Sequence, residues 1–162
     1  MSSKIPVVRQ IAWMALVPQL IFMGLLILGF YLLRSSTPFI YGTITYLAIS
    51  NGLRTFIPRH HLQGMKLVKA QKFAAAIPFF EKSYAFFSRN VWVDQYRFLT
   101  MLSASGMSYR EMALCNIGFC YSQIGEGKKA IDYYTRTLEA FPENGLAQAA
   151  LRMLGAAEQI QK

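Results

Sequence analysis

The chain has 162 residues, of which 54% are hydrophobic and only 15% charged, with 17 Lys or Arg against eight Asp or Glu and a net charge of +9. A water-soluble domain ordinarily carries about a quarter charged residues, so the composition excludes a chain made wholly of ordinary soluble surface. The charge is also placed against a nucleic-acid partner, which would meet it on the folded domain: residues 1–72 hold Lys4, Arg9, Arg34, Arg54, Arg59, Lys66, Lys69 and Lys72 and no acid, for +8, while residues 73–162 net only +1.

Residues 11–33 form an uncharged apolar run of 23. At a helical rise of about 1.5 Å per residue the run is about 34 Å long, enough to cross a hydrocarbon core of about 30 Å. It is too long for the apolar core of a cleaved signal peptide. Arg34, Ser35, Ser36, Thr37 and Pro38 read as a tight turn, with Pro38 opening the next helix. Residues 39–57 are a second, more polar run, carrying Thr43, Thr45, Ser50, Asn51 and Arg54. They are expected to span as well, or else to lie at an interface or pack as a soluble helix. Basic residues before the first run and after the second put both termini and the rest of the chain in the cytoplasm. The expectation is an integral protein of a bacterial inner (plasma) membrane. Arg54, Arg59, Lys66, Lys69 and Lys72 would meet anionic lipid headgroups.

Beyond residue 57 the periodicity is helical and repeats. Leu114, Ile117, Gly118, Tyr121, Gly125, Ala130, Tyr134 and Pro142 place small, aromatic and breaker residues at fixed spacing. Gly118 and Ala130 would sit where two antiparallel helices touch, with the tyrosines filling the flanks. Residues 111–144 thereby resemble a tetratricopeptide (TPR) repeat, with Leu114 where Trp is usual and Thr137 in place of the second Ala. A weaker copy at 57–90 aligns Gly64, Ala76, Phe80 and Ser83 with Gly118, Ala130, Tyr134 and Thr137, 54 residues earlier. Its His60 and Gln63 depart from the pattern. Between the copies, residues 91–102 have helical spacing and an extended or extra helix is expected there, then a loop, with Ser108 capping the next helix. Asn144 would cap a last helix running to about Gln159, covering the end of the array.

The expected fold is therefore all-α: a two-helix transmembrane hairpin over 1–57, then a short TPR-like α-α repeat domain over 58–162 with an inserted helix and a C-terminal capping helix. No catalytic, cofactor or metal-binding constellation is expected. His60 and His61 lack partners at ligand spacing, and Cys115 and Cys120, five apart in a helix, cannot bridge. The TPR resemblance implies a concave partner-binding face on the first helix of each repeat: His61, Met65, Val68 and Lys69, then Met112, Cys115, Phe119, Ser122 and Gln123. These residues alternatively pack against the inserted or C-terminal helix. Of the family's carboxylate-clamp positions only Asn116 has a counterpart, so that ligand is not expected. The function implied is non-enzymatic: an adaptor or assembly factor recruiting protein partners, a membrane complex among the candidates, at the cytoplasmic membrane face. The alternative is an accessory subunit of a membrane complex held mainly through its transmembrane helices.

Overall fold

A computed structural model describes residues 13–160; Lys4, Arg9 and the start of the 11–33 run lie outside the described residues. Among the described residues the chain is all-helical, with no strands. Its helices are α1 (Leu16–Leu32), α2 (Pro38–Phe56), α3 (Arg59–Lys69), α4 (Phe73–Arg89), α5 (Val91–Gln95), α6 (Arg97–Thr100), α7 (Tyr109–Gln123), α8 (Gly127–Ala140) and α9 (Gly145–Ile160). The helices fall into two compact units. One takes the chain up to Ile57 together with Gln95–Met107; the other takes Pro58–Asp94 and the chain from Ser108 on.

In the first unit α1 and α2 form a hairpin, and α6 packs on α1. The turn is a Schellman motif. Arg34 adopts φ +53°, Ser35 N–H donates to Phe30 O and Arg34 N–H to Tyr31 O. Gly42 admits the backbone of α1, because a Cβ there would lie 2.8 Å from Ile27 Cα. Gln19 is buried, and its Oε1 accepts from Tyr46 and Arg54 at 3.4 Å each; Arg54 also donates to Leu102 O.

The expected transmembrane hairpin is overturned here. No helix among the described residues is long and apolar enough to cross a membrane. A 3-10 turn over Trp13–Ala15 precedes α1, so the helix opens at Leu16 rather than residue 11. Its 17 residues reach about 26 Å, short of the roughly 30 Å core. α2 has 19 residues, but Thr43, Thr45, Ser50, Asn51 and Arg54 dilute its apolar character. The spans over 11–33 and 39–57 fall, and with them the placement in a bacterial inner (plasma) membrane with both termini and the repeat domain cytoplasmic.

The second unit is a series of stacked helices: α3 on α4, α4 on α7, α7 on α8, α8 on α9. Its two longer hairpins share their internal contacts at an offset of 54 residues. Gly64 lies under the Phe80 ring and Gly118 under the Tyr134 ring. Ala76 and Ala130 are fully buried, as are Ser83 and Thr137. Both turns are Schellman motifs: Gln71 at φ +57° closes α3 and Gly125 at φ +81° closes α7, with Lys72 N–H donating to Leu67 O and Glu126 N–H to Tyr121 O. The core between the hairpins is Phe80, Phe87, Leu114 and Ile117. Pro78 is exposed in the second turn of α4, where its missing N–H leaves the Ala74 carbonyl without its helical donor. The extended or extra helix expected over 91–102 is instead two short ones, broken at Tyr96, with Leu102 at φ +49° ending the segment.

Candidate protein-interaction face

The start of α7 is fixed by three polar side chains. Ser108 and Glu111 form a reciprocal capping box, at 3.1 Å from Glu111 N–H to Ser108 Oγ and 3.2 Å from Ser108 N–H to Glu111 Oε2. Asp94, fully buried, accepts from Tyr109 N–H at 2.7 Å and Arg110 N–H at 3.1 Å. A carboxylate on the first amides of a helix, which have no partner within the helix itself, is favoured by both hydrogen bonding and the helix dipole. Arg110 Nε adds a contact to the same carboxylate at 3.4 Å.

A second polar link ties α7 to α9. Asn144 Nδ2 donates to Glu111 Oε1 at 2.7 Å, and its Oδ1 caps α9 by accepting from Ala147 N–H at 2.7 Å. The Cys115 thiol donates to the same oxygen at 3.5 Å. Cys115 and Cys120 are free and buried. Burial, with the Glu111 carboxylate second, pushes the Cys115 thiol up to about 12, and burial does the same to Cys120. Both are poor nucleophiles at neutral pH.

The face expected on α3 and α7 divides in two. His61, Val68 and Cys115 are buried and part of the core. The His61 ring meets the edges of Phe80 and Tyr109, with centroids 5.4 and 5.2 Å away. Burial lowers its pKa to about 4, so it is neutral at pH 7. Met65, Met112, Phe119 and Ser122 are half-buried, and Lys69 and Gln123 are exposed. Asn116 Nδ2 lies 3.6 Å from Met65 Sδ, joining α3 to α7, and Phe119 stacks edge-on with Phe73 at 5.8 Å. The accessible face is therefore Met65, Lys69, Met112, Phe119, Ser122 and Gln123.

The residues expected to build the hairpins, Gly64, Ala76, Phe80, Leu114, Gly118, Ala130 and Tyr134, are all buried, while Tyr121 is half-buried and stacks on Tyr133 at 5.5 Å. Pro142 is exposed just after α8, and its carbonyl accepts from Gln148. Asp94 and the Glu111–Asn144 hydrogen bond carry no local sequence signal; of this cluster only the Ser108 and Asn144 caps were expected. Among the described residues no three His, Cys, Asp or Glu side chains gather as a metal site. Compared with known proteins, the chain matches no family model, no curated protein and no solved structure.

Proposed function

We propose that the second unit is a TPR-like protein-interaction module, and that the protein works without catalysis as an adaptor or assembly factor. One observation carries this reading. The α3–α4 and α7–α8 hairpins repeat the same Gly-under-ring contact, buried Ala and Schellman turn at one constant offset. Stacked helix pairs of this kind present a continuous face built from the first helix of each pair. Here that face offers Met65, Met112 and Phe119 half-exposed, beside the exposed Lys69 and Gln123. Flexible thioethers and an aromatic ring suit a helix or an extended apolar segment of another protein.

The test is site-specific photocrosslinking in the cells that make the protein. A photoreactive residue at Met65, Met112 or Gln123 should yield a discrete crosslinked partner. The same group at Arg136 or Glu139, exposed on α8, should not. Equal products from both sets of positions, or none from the α3–α7 face, would overturn the reading.

A second reading rests on the first unit. Leu20, Leu25, Leu28, Phe39, Ile44 and Leu47 are all at least half exposed. Contiguous apolar surface on this scale marks an interaction site, as in an accessory subunit held through α1 and α2 against a larger partner. Crosslinks from Leu25 or Leu47, with none from Met112, would favour it.

A further inference from the structure

The α3–α4 hairpin carries a feature separate from the α3–α7 face. An open cleft of about 360 Å³ lies between the two helices, lined by Gln63, Lys66, Leu67, Ala70, Lys72 and Phe79. Leu67 and Phe79 are half-buried, whereas Lys66 and Lys72 are exposed. Lys82 holds its ammonium 5.8 Å from the centre of the Phe79 ring, and Lys69 follows one turn after Lys66. The cleft is thus apolar within and cationic around.

The charge is not shared by the rest of the unit. Residues 58–89 carry Arg59, Lys66, Lys69, Lys72, Lys82 and Arg89 against Glu81 alone, a net +5. Residues 108–160 carry five basic and six acidic residues. Glu81 is drawn toward α8, where Tyr133 donates to its Oε1 at 3.4 Å. Among the described residues, the ion pairs are Arg110–Asp94, Lys129–Glu126 and Arg136–Asp132, and none involves the four lysines. A net positive field beside an apolar recess attracts acidic groups and fixes them by one bulky side chain.

We propose that this cleft docks an acidic segment of a partner protein, with an aromatic or large aliphatic side chain of that segment on Phe79 and Leu67 and flanking carboxylates on Lys66, Lys72 and Lys82. The apolar floor between the lysines suits a ligand that carries an apolar side chain among its charges, as an acidic peptide does and a bare phosphate polyanion does not. The proposal does not depend on the α3–α7 face.

The experiment uses the full chain and a labelled peptide with Leu-Phe at its centre and Asp and Glu on both sides. Binding is followed by fluorescence anisotropy at low and moderate salt. The acidic peptide should bind, weakening with salt, and its Asn/Gln counterpart should not. Lys66→Glu with Lys72→Glu, both exposed, should lower affinity by about tenfold or more. Phe79→Ala should lower it several-fold with an unchanged salt slope. Lys128→Glu, exposed on α8, should leave it unchanged; a loss equal to that of the Lys66 and Lys72 reversal would show a general charge effect and overturn the cleft. Equal binding of the neutral peptide overturns the proposal. So does insensitivity to Phe79→Ala, or preferential capture of phosphatidylglycerol vesicles or single-stranded oligonucleotide through the same lysines.

Discussion

A methyl group added at Gly64 has nowhere to go. A Cβ there would lie 2.7 Å from Phe80 Cε1 and 2.9 Å from Cδ1 and Cζ. Carbon atoms in contact prefer about 3.5–4.0 Å, so the ring or the helix has to shift by close to an ångström. Phe80 is fully buried and its ring also meets His61, which leaves it little room. Overpacking of this sort costs about 1–3 kcal/mol. Removing a helical glycine gives back about 0.8–1 kcal/mol. Gly64→Ala should therefore destabilise the second unit by up to about 2 kcal/mol. At Gly118 the nearest Tyr134 ring atoms stand at 3.1 Å, a crowding of a few tenths of an ångström. There the opposing effects should cancel to within about 0.5 kcal/mol. Gly155→Ala, in α9 with nothing within 4 Å, should show the propensity gain alone, up to about 1 kcal/mol. Native-state hydrogen exchange at the amides of residues 80–87, with urea as the perturbant, reads all three. If Gly64→Ala proves as stable as Gly155→Ala, or Gly118→Ala is the more damaging change, the close-packing argument is wrong.

Three further expectations follow from the same structure. His61 has a folded pKa of about 4 against 6.5 unfolded, so its contribution is complete above pH 6.5 and is lost as the unfolded chain takes up a proton between pH 6.5 and 4. The loss is about 1.4 kcal/mol per pH unit, about 3 kcal/mol in all. The stability difference between wild type and His61→Gln should shrink by that order across the window, and parallel curves would refute it. Asp94→Ala strips two amide bonds and the Arg110 contact from the start of α7 and should cost about 2–4 kcal/mol, visible as a fall in Tm; an unchanged Tm would show that the cap is dispensable. Gln71→Gly should stabilise by about 0.5–1 kcal/mol and Gly125→Gln destabilise by about 1 kcal/mol, since both positions require positive φ; urea midpoints that fail to move in opposite directions would count against that account.

Local signals were legible in the sequence. The Ser108 and Asn144 caps follow from side-chain reach over three residues, and the Gly-to-aromatic spacing follows from two helices touching at one point. Helix limits in the apolar region were not: the uncharged stretch runs on from residue 11, whereas the α-helix opens at Leu16. Hydropathy cannot see that start. Which residues of the α3–α7 stripe are exposed was half legible. His61, Val68 and Cys115 share a helix stripe with Met65, Met112 and Phe119, and which part of a stripe is covered depends on neighbouring helices that spacing does not name. Asp94 is the clearest omission. It reaches its amides 15 and 16 residues on, across a segment whose break at Tyr96 has no Gly or Pro to announce it.

Residues 95–107 complete the first unit although they are synthesised after α3 and α4. On the ribosome α1 and α2 emerge early, yet their partner segment follows some forty residues later, once Pro58–Asp94 of the second unit has already left the exit tunnel. The order of birth is thus not the order of completion: the N-terminal hairpin waits, and a ribosome stalled before residue 95 would display it unfinished, a species that pulse proteolysis of nascent chains could catch.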